Sequence, residues 1–300
     1  MSGRLTAIVA AIIAVLAMAG CAHRPQAPTA DAKVLVIAEE NKTYDRVIGD
    51  PDAPYISMLA QRFGSAASMD AGYPPDCPSL AAYLLMTSGS THDVCDDADS
   101  AAHRIDSDNV FTQVARAGRE WRDYADSAPG TCASTNSADG RYLVRHTPAA
   151  YYTREAANCR RWHVPLGDLD RGALHDDLTS GNLPAYAFVS PDACHDMHGA
   201  PSCPDRLVAS GDEWLRQWLP RILAGPDYTA GRLVVIVTWD EGSVTDNHIP
   251  TVVISPRTAG VHATVPFTLC SILRTTEEIL RLPLLGCAAT ATSMRGPFAL

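Results

Sequence analysis

The sequence predicts an α/β fold with a largely parallel sheet. Apolar runs of strand length recur along the chain, amphipathic helical stretches lie between them, and no segment repeats at a fixed period. The missing repeat removes solenoid and propeller architectures, and the alternation of element types leaves helices layered on a sheet.

The elements follow in order. "KVLVIAEEN", residues 33–41, is continuously apolar before it turns polar, the pattern of a strand covered on both faces. "LAAYLLM", directly after Ser79, reads as a helix. In "NVFTQVARAG", Val110, Val114 and Ala117 share a helical face, with Asp108 placed to cap the start and Gly118 to stop the end. "LPAYAFVS" opens a second strand at Leu183, which Pro191 breaks. "SGDEWLRQWLPRILAG" is an amphipathic helix whose Trp214 and Trp218 lie one turn apart and read as core. "GRLVVIVTW" is a third strand, "IPTVVISP" a fourth between two prolines, and "CSILRTTEEILRL" a last helix.

Apolar residues make up 46% of the 300 and charged ones 19%, a globular balance able to fill a sizeable core. No low-complexity linker divides the chain after residue 32, so one large domain is expected. The formal charge of −10 repels nucleic-acid phosphates and leaves no basic patch to hold them, which excludes nucleic acid as a partner.

The N-terminus has Arg4, an apolar run from Leu5 to Ala19, and small residues before Cys21. The run is shorter than the about 20 residues of a spanning helix and has the order of an export signal. Met18-Ala19-Gly20-Cys21 resembles a bacterial lipobox. Residues 1–20 are therefore expected to be a lipoprotein signal peptide, Cys21 the lipidated residue, residues 21–32 a tether rich in Pro and Ala, and residues 33–300 the functional domain. Ordinary signal cleavage is the alternative. The expected location is the cell envelope, lipid-anchored on the outer face of the cytoplasmic membrane, or secretion.

Eight further cysteines, an even number in an exported chain, imply disulfides. Pairing of sequence neighbours is the simplest arrangement: Cys77 with Cys95, Cys132 with Cys159, Cys194 with Cys203 and Cys270 with Cys287. A zinc cluster is disfavoured because no CxxC pair occurs.

Three of the strands end in metal-type ligands: Glu39-Glu40-Asn41, Asp192 through His198, and Asp240-Glu241. Ligand sites of open α/β sheets lie at the carboxyl ends of strands. One such ending is commonly just an exposed loop, but three at one edge repel one another unless a cation joins them. Oxygen ligands with His suit a divalent cation, Ca²⁺, Mg²⁺ or Zn²⁺, without choosing among them. Such a cation needs a hydroxyl to activate, and Ser79 precedes a helix, where amides and dipole favour phosphate. The plainer reading of Ser79 is an N-cap.

The segments "VLVIAEENKTYDRVIG", "PSLAAYLLMTSG", "YLVRHTP", "PDACHDMHG", "LVVIVTWDEG" and "ILRTTEEIL" resemble, in order, the motifs of the bacterial phosphoesterase family of acid phosphatases and phospholipases C, within the alkaline-phosphatase-like superfamily. The resemblance runs from about Lys33 to Gly286. It implies a three-layer α/β/α core, with Ser79 as nucleophile and Glu40, Asn41, Asp240 and Glu241 as metal ligands. Asp196 and His198 match the Asp-x-His that completes the site, with Asp192 and His195 as neighbouring candidates. His146, beside Arg145, resembles the pair that binds phosphate or protonates the leaving oxygen; its plainer reading is a surface histidine.

Four positions depart from the family pattern: Cys77 replaces a His, Ala81 and Ala82 replace Pro-Asn, and Leu269 replaces another His. The expected function is an exported, metal-dependent phosphoesterase acting on a phosphorylated small molecule or phospholipid, with phosphomonoesters favoured. A phospholipase C-like phosphodiesterase and a non-catalytic envelope lipoprotein binding a phosphorylated ligand are the alternatives.

Overall fold

The structure is a computed structural model that describes residues 31–300. The expected signal peptide, Cys21 and all but the end of the tether lie outside the described residues. The strands are β1 (Lys33–Glu39), β2 (Gly64–Ala66), β3 (Met69–Asp70), β4 (Trp121–Ala125), β5 (His163–Pro165), β6 (Tyr186–Ser190), β7 (Leu233–Trp239), β8 (Thr251–Ile254), β9 (Val261–Ala263) and β10 (Phe267–Thr268). The helices are α1 (Pro54–Arg62), α2 (Leu80–Ser88), α3 (Val110–Arg116), α4 (Cys159–Trp162), α5 (Ala173–Ser180), α6 (Leu207–Ala224), α7 (Pro226–Thr229), α8 (Leu269–Leu280) and α9 (Arg295–Phe298).

Eight strands form one sheet in the order β5-β4-β6-β1-β7-β8-β2-β9, and β3 with β10 forms a small second one. Strand β1 lies between β6 and β7, parallel to both, with Glu39 opposite Trp239 at its carboxyl end. Strands β4 and β5 extend the parallel run on one side. On the other side β8 runs antiparallel to β7 and to β2, so the fourth strand read from the sequence reverses direction.

All of β7 and all of β1 except Lys33 are buried, which is why both strands read as unbroken apolar runs. Each fully buried Val, Leu or Ile there contributes roughly 1.5–3 kcal/mol of burial. Helix α2 packs against α3 and α8 as one layer, and α6 against α1 and α7 as the other. The three-layer α/β/α expectation is met.

Helix α3 stops at Gly118 as expected, with a left-handed φ of 69° there, but differs in its cap and its buried face. Its cap is Asn109, whose side chain accepts from the Thr112 N–H at 2.9 Å. Asn109 has the extended backbone that a cap requires, and Asp108 instead pairs with Arg116 at 2.8 Å and with Arg154. Ala117 is exposed rather than sharing the buried face of Val110 and Val114. The four disulfides join Cys77–Cys95, Cys132–Cys159, Cys194–Cys203 and Cys270–Cys287, the sequence-neighbour pairing. They suit an oxidising compartment. No helix among the described residues is long and apolar enough to cross a membrane.

Candidate active site

Strands β1, β6 and β7 deliver their terminal acids to one edge of the sheet, and α2 brings Ser79 to the same place. Ser79 has helical backbone angles and its hydroxyl makes no capping bond. It donates instead to Glu40 Oε2 at 3.0 Å. Tyr83, one helical turn along α2, donates to Glu40 Oε1 at 2.5 Å. The amide that a capping serine would have taken, Leu80 N–H, is bound at 3.0 Å by Asp97 Oδ1.

The acids at β7 are fixed by the turn after β1. Asn41 N–H donates to Asp240 Oδ1 at 3.1 Å, and Asn41 Nδ2 to Glu241 Oε1 at 2.8 Å. Tyr73 donates to Glu241 Oε2 at 3.0 Å. Asn41 adopts a left-handed φ of 38°, a conformation that Asn tolerates and that turns its amide across to the end of β7. From β6, the Asp196 carbonyl accepts from Glu40 N–H at 2.7 Å, binding the two strand ends directly.

His146 is buried between two of these acids, with Nδ1 3.1 Å from Asp196 Oδ2 and Nε2 3.2 Å from Glu40 Oε1. Burial, with Arg145 beside it, pushes its pKa well below the ordinary value, so the ring is neutral. A neutral imidazole has one N–H. Nδ1 serves Asp196, and Nε2 has no aligned partner, so its lone pair meets a carboxyl oxygen. Asp240 Oδ2 and Asn41 Oδ1 are likewise buried without a partner. Glu40, His146 and Asp196 place ligand atoms within 4.8 Å of one another. Acceptors that face one another in a dry site are compatible with a bound cation.

Loss of solvent is the first cause that raises the pKa of Glu40, Asp240, Glu241 and Asp196, the last to about 7. Like charges add to it: Asp240 acts on Glu40, and Glu241 on Asp240. Charges this expensive to bury mark a site that a divalent cation would neutralise.

Other residues singled out by sequence lie around this centre. His198 is engaged at both nitrogens, by Arg145 Nη2 at 3.0 Å and by the Gly199 carbonyl at 2.8 Å, while its backbone N–H binds Asp196 Oδ1 at 2.7 Å. Asp192 and His195 are not brought to the Glu40 cluster. Asp192 is held by Arg141 and Ser127, and His195 Nδ1 lies 2.8 Å from Asp126 and 3.2 Å from Asp192. This second group opens on a cavity of about 720 Å³ walled by Trp214 and Trp218. Both Asp192 oxygens are hydrogen-bonded, whereas Asp240 Oδ2, Asn41 Oδ1 and His146 Nε2 in the first group have no partner.

The departures from the family pattern have structural counterparts. Cys77 is tied to Cys95. Ala81, Ala82 and Leu269 are wholly buried in the core. Tyr73, Tyr83 and Asp97 were not anticipated. Tyr83 was readable as the residue one turn after Ser79, whereas Asp97 and Tyr73 sit in loops with no periodicity to betray them.

A hydroxyl set among buried carboxylates at the carboxyl edge of a mainly parallel sheet is the equipment of an ester-cleaving α/β enzyme. Residues 50–283 match the sequence profile of the Phosphoesterase family, and the chain belongs to that family. It is a hydrolase of phosphate esters. A Mycobacterium tuberculosis protein named "Phosphatidylinositol-3-phosphatase" is 29% identical over 262 residues, which cover 87% of this chain and 80% of that protein. A Kluyveromyces lactis protein named "Probable acid phosphatase" is 22% identical over 70% of this chain and 47% of its own length. Among solved structures, an alkaline phosphatase superfamily protein from Vibrio parahaemolyticus superposes with TM-score 0.61 at 10% identity, over 92% of this chain and 73% of the other. The lipoteichoic acid synthase LtaP from Listeria monocytogenes gives 0.57 at 11%, over 92% and 77%. Those two likenesses concern the fold.

Proposed function

We propose that this chain is an exported, lipid-anchored phosphomonoesterase that uses Ser79 as nucleophile and a divalent cation as cofactor. Residues 1–20 are the signal, Cys21 with residues 22–32 the anchor and tether, and residues 33–300 the catalytic domain. The observation that carries the reading is the Ser79 hydroxyl: it is released from capping duty and bonded to Glu40 inside the acid cluster. A pure binding module has no need of that arrangement.

Glu40, Asn41, Asp196, Asp240, Glu241 and His146 would hold the cation. When bound, it would polarise the phosphoryl group and favour the serine alkoxide. The chain's own groups do the rest. Glu40 Oε2 orients the Ser79 hydroxyl and takes its proton as the Oγ–P bond forms and the P–O bond to the alcohol breaks. That proton restores the leaving alcohol. Arg145 presents its guanidinium to the phosphoryl oxygens, and water then cleaves the phosphoserine to give orthophosphate and the free hydroxyl. His146 holds Asp196 through Nδ1–H and leaves its Nε2 lone pair for the cation rather than acting as the acid, because burial leaves it neutral.

A phosphomonoester on a lipid headgroup fits both the membrane tether and the name of the mycobacterial relative. The test is hydrolysis of a chromogenic phosphomonoester, a phosphorylated phosphatidylinositol and phosphatidylcholine, each with Ca²⁺, Mg²⁺ or Zn²⁺. Metal-dependent release of phosphate from the monoesters, lost in Ser79→Ala, is expected. Cleavage of phosphatidylcholine alone would make the protein a phospholipase C, and turnover that survives Ser79→Ala would remove the nucleophile.

A further inference from the structure

The loop after α2 returns to the start of that helix, and its Asp97 does two things there. Asp97 Oδ1 accepts the Leu80 N–H at 3.0 Å, and Oδ2 lies 3.0 Å from Arg145 Nε. The second contact is an ion pair rather than an aligned hydrogen bond, since Nε–H has no acceptor along its axis. Arg145 in turn reaches His198, whose backbone N–H binds Asp196. One carboxylate thus connects the residue after the nucleophile, the cation beside it, and the acid cluster. The Cys77–Cys95 disulfide fixes the loop, with one cysteine two residues before Ser79 and the other two residues before Asp97.

We propose that Asp97 is a positioning residue that aims Arg145 at the phosphoryl group and completes the first turn of α2, with Cys77–Cys95 as the strap that delivers it. The proposal rests on Ser79 as nucleophile and Arg145 as phosphate contact. Leu80 N–H and Arg145 are also the two donors that an incoming phosphate would seek, so a loosely held Asp97 would compete with substrate. The covalent strap argues that this carboxylate stays where it is and that phosphate meets a guanidinium already oriented by it.

The test is a double-variant cycle on the full-length chain: wild type, Asp97→Asn, Arg145→Ala and the two combined, with Asp97→Glu as the conservative control. The readouts are KM and kcat on a chromogenic phosphomonoester, binding of orthovanadate by calorimetry, and thermal unfolding. Asp97→Asn keeps an acceptor for Leu80 N–H but removes the charge. It is expected to raise KM and weaken orthovanadate binding about tenfold while the unfolding temperature holds, and to cost nothing further when Arg145 is already Ala. Asp97→Glu should recover part of the loss.

Additive effects in the cycle would overturn the proposal. Unchanged or tighter orthovanadate binding in Asp97→Asn would do so too, by showing that Asp97 merely occupies the anion position. Should Asp97→Asn fail to fold, the same comparison is made with Asp97→Glu, and additivity with Arg145→Ala again overturns the proposal. Absent turnover in the wild type, or turnover that survives Ser79→Ala, defeats the proposed function; the cycle is then decided on orthovanadate binding alone. A wild type that neither turns over nor binds orthovanadate overturns both.

Discussion

Ser79 and Glu40 share a 3.0 Å hydrogen bond across 39 positions of sequence, in a site where both residues are buried. Neither partner is needed for the fold in the way a core residue is. In the proposed mechanism Ser79→Ala removes the attacking hydroxyl, and Glu40→Gln removes the charge that orients it. Each is expected to lower kcat/KM by at least about 10³ while the circular dichroism spectrum and unfolding temperature stay close to wild type. Residual turnover within tenfold of wild type in Ser79→Ala would sink the assignment.

Cation binding has a readout that does not require turnover. The partner-free oxygens of Asn41 and Asp240 cost stability when nothing neutralises them, and an ion that binds only the folded state adds about 2.7 kcal/mol at a hundred times its dissociation constant. A divalent cation is therefore expected to raise the unfolding temperature of wild type and not of Asp240→Asn. Equal shifts in both would place the ion elsewhere.

Asp123 gives stability a pH dependence of its own. It is fully buried on β4, one oxygen accepts from Ala149 N–H at 3.3 Å, the other has no partner, and burial raises its pKa to about 8. The folded state keeps a proton that the unfolded chain loses above the ordinary value of 3.8. Its contribution is greatest below that value and is lost as pH rises towards about 8. Asp123→Asn retains the acceptor and cannot ionise. It should match wild type at low pH and exceed it increasingly as pH rises to about 8, by several degrees in unfolding temperature. Parallel curves for the two proteins would refute this.

His163, whose pKa burial lowers to about 4, titrates in the opposite sense. The unfolded chain takes up a proton below the ordinary 6.5 and the folded state resists it, so stability falls as pH drops from 6.5 towards about 4. His163→Gln should flatten that acid limb in a thermal unfolding series. A limb unchanged by the substitution would assign it to other groups.

The Cys270–Cys287 disulfide joins the start of α8 to the segment that packs on Gly89, closing a loop of sequence separation 17. Replacing both cysteines by Ser is expected to cost about 3 kcal/mol in denaturant unfolding with kcat unchanged below the transition. A large fall in kcat at full folding would mean that α8 reaches the site after all.

Much of this was legible because central strands of a covered parallel sheet are apolar throughout. That made β1, β6 and β7 visible, and with them the acids at their ends. Strand β4 was not: "WRDYA" carries Arg122 and Asp123, and only the folded context shows that Asp123 is buried as a neutral acid. Strand β5 contains Pro165, and β2 and β9 are three residues each, too short for any period to register. At the site, residue types and strand endings gave a set of candidate ligands, but a sequence has no means of ranking equals. Asp192 and Asp196 look alike in "PDACHDMHG"; one meets Arg141 and the other His146. The Cys77 departure, by contrast, already had its expected partner in Cys95, because the two are neighbouring cysteines in sequence.

The order of the strands also dictates an order in time. Strand β1 comes first in the described chain, yet its two neighbours begin at Tyr186 and Leu233, so this apolar segment waits for more than half of the polypeptide before its backbone is paired. During that wait it is an open β-edge, the kind of segment that pairs with other chains. The four disulfides span at most 27 positions each and can close while that edge is still unpaired. Oxidation therefore cannot report that the protein is finished: a preparation with every thiol consumed can still lack the central strand, and with it Glu40.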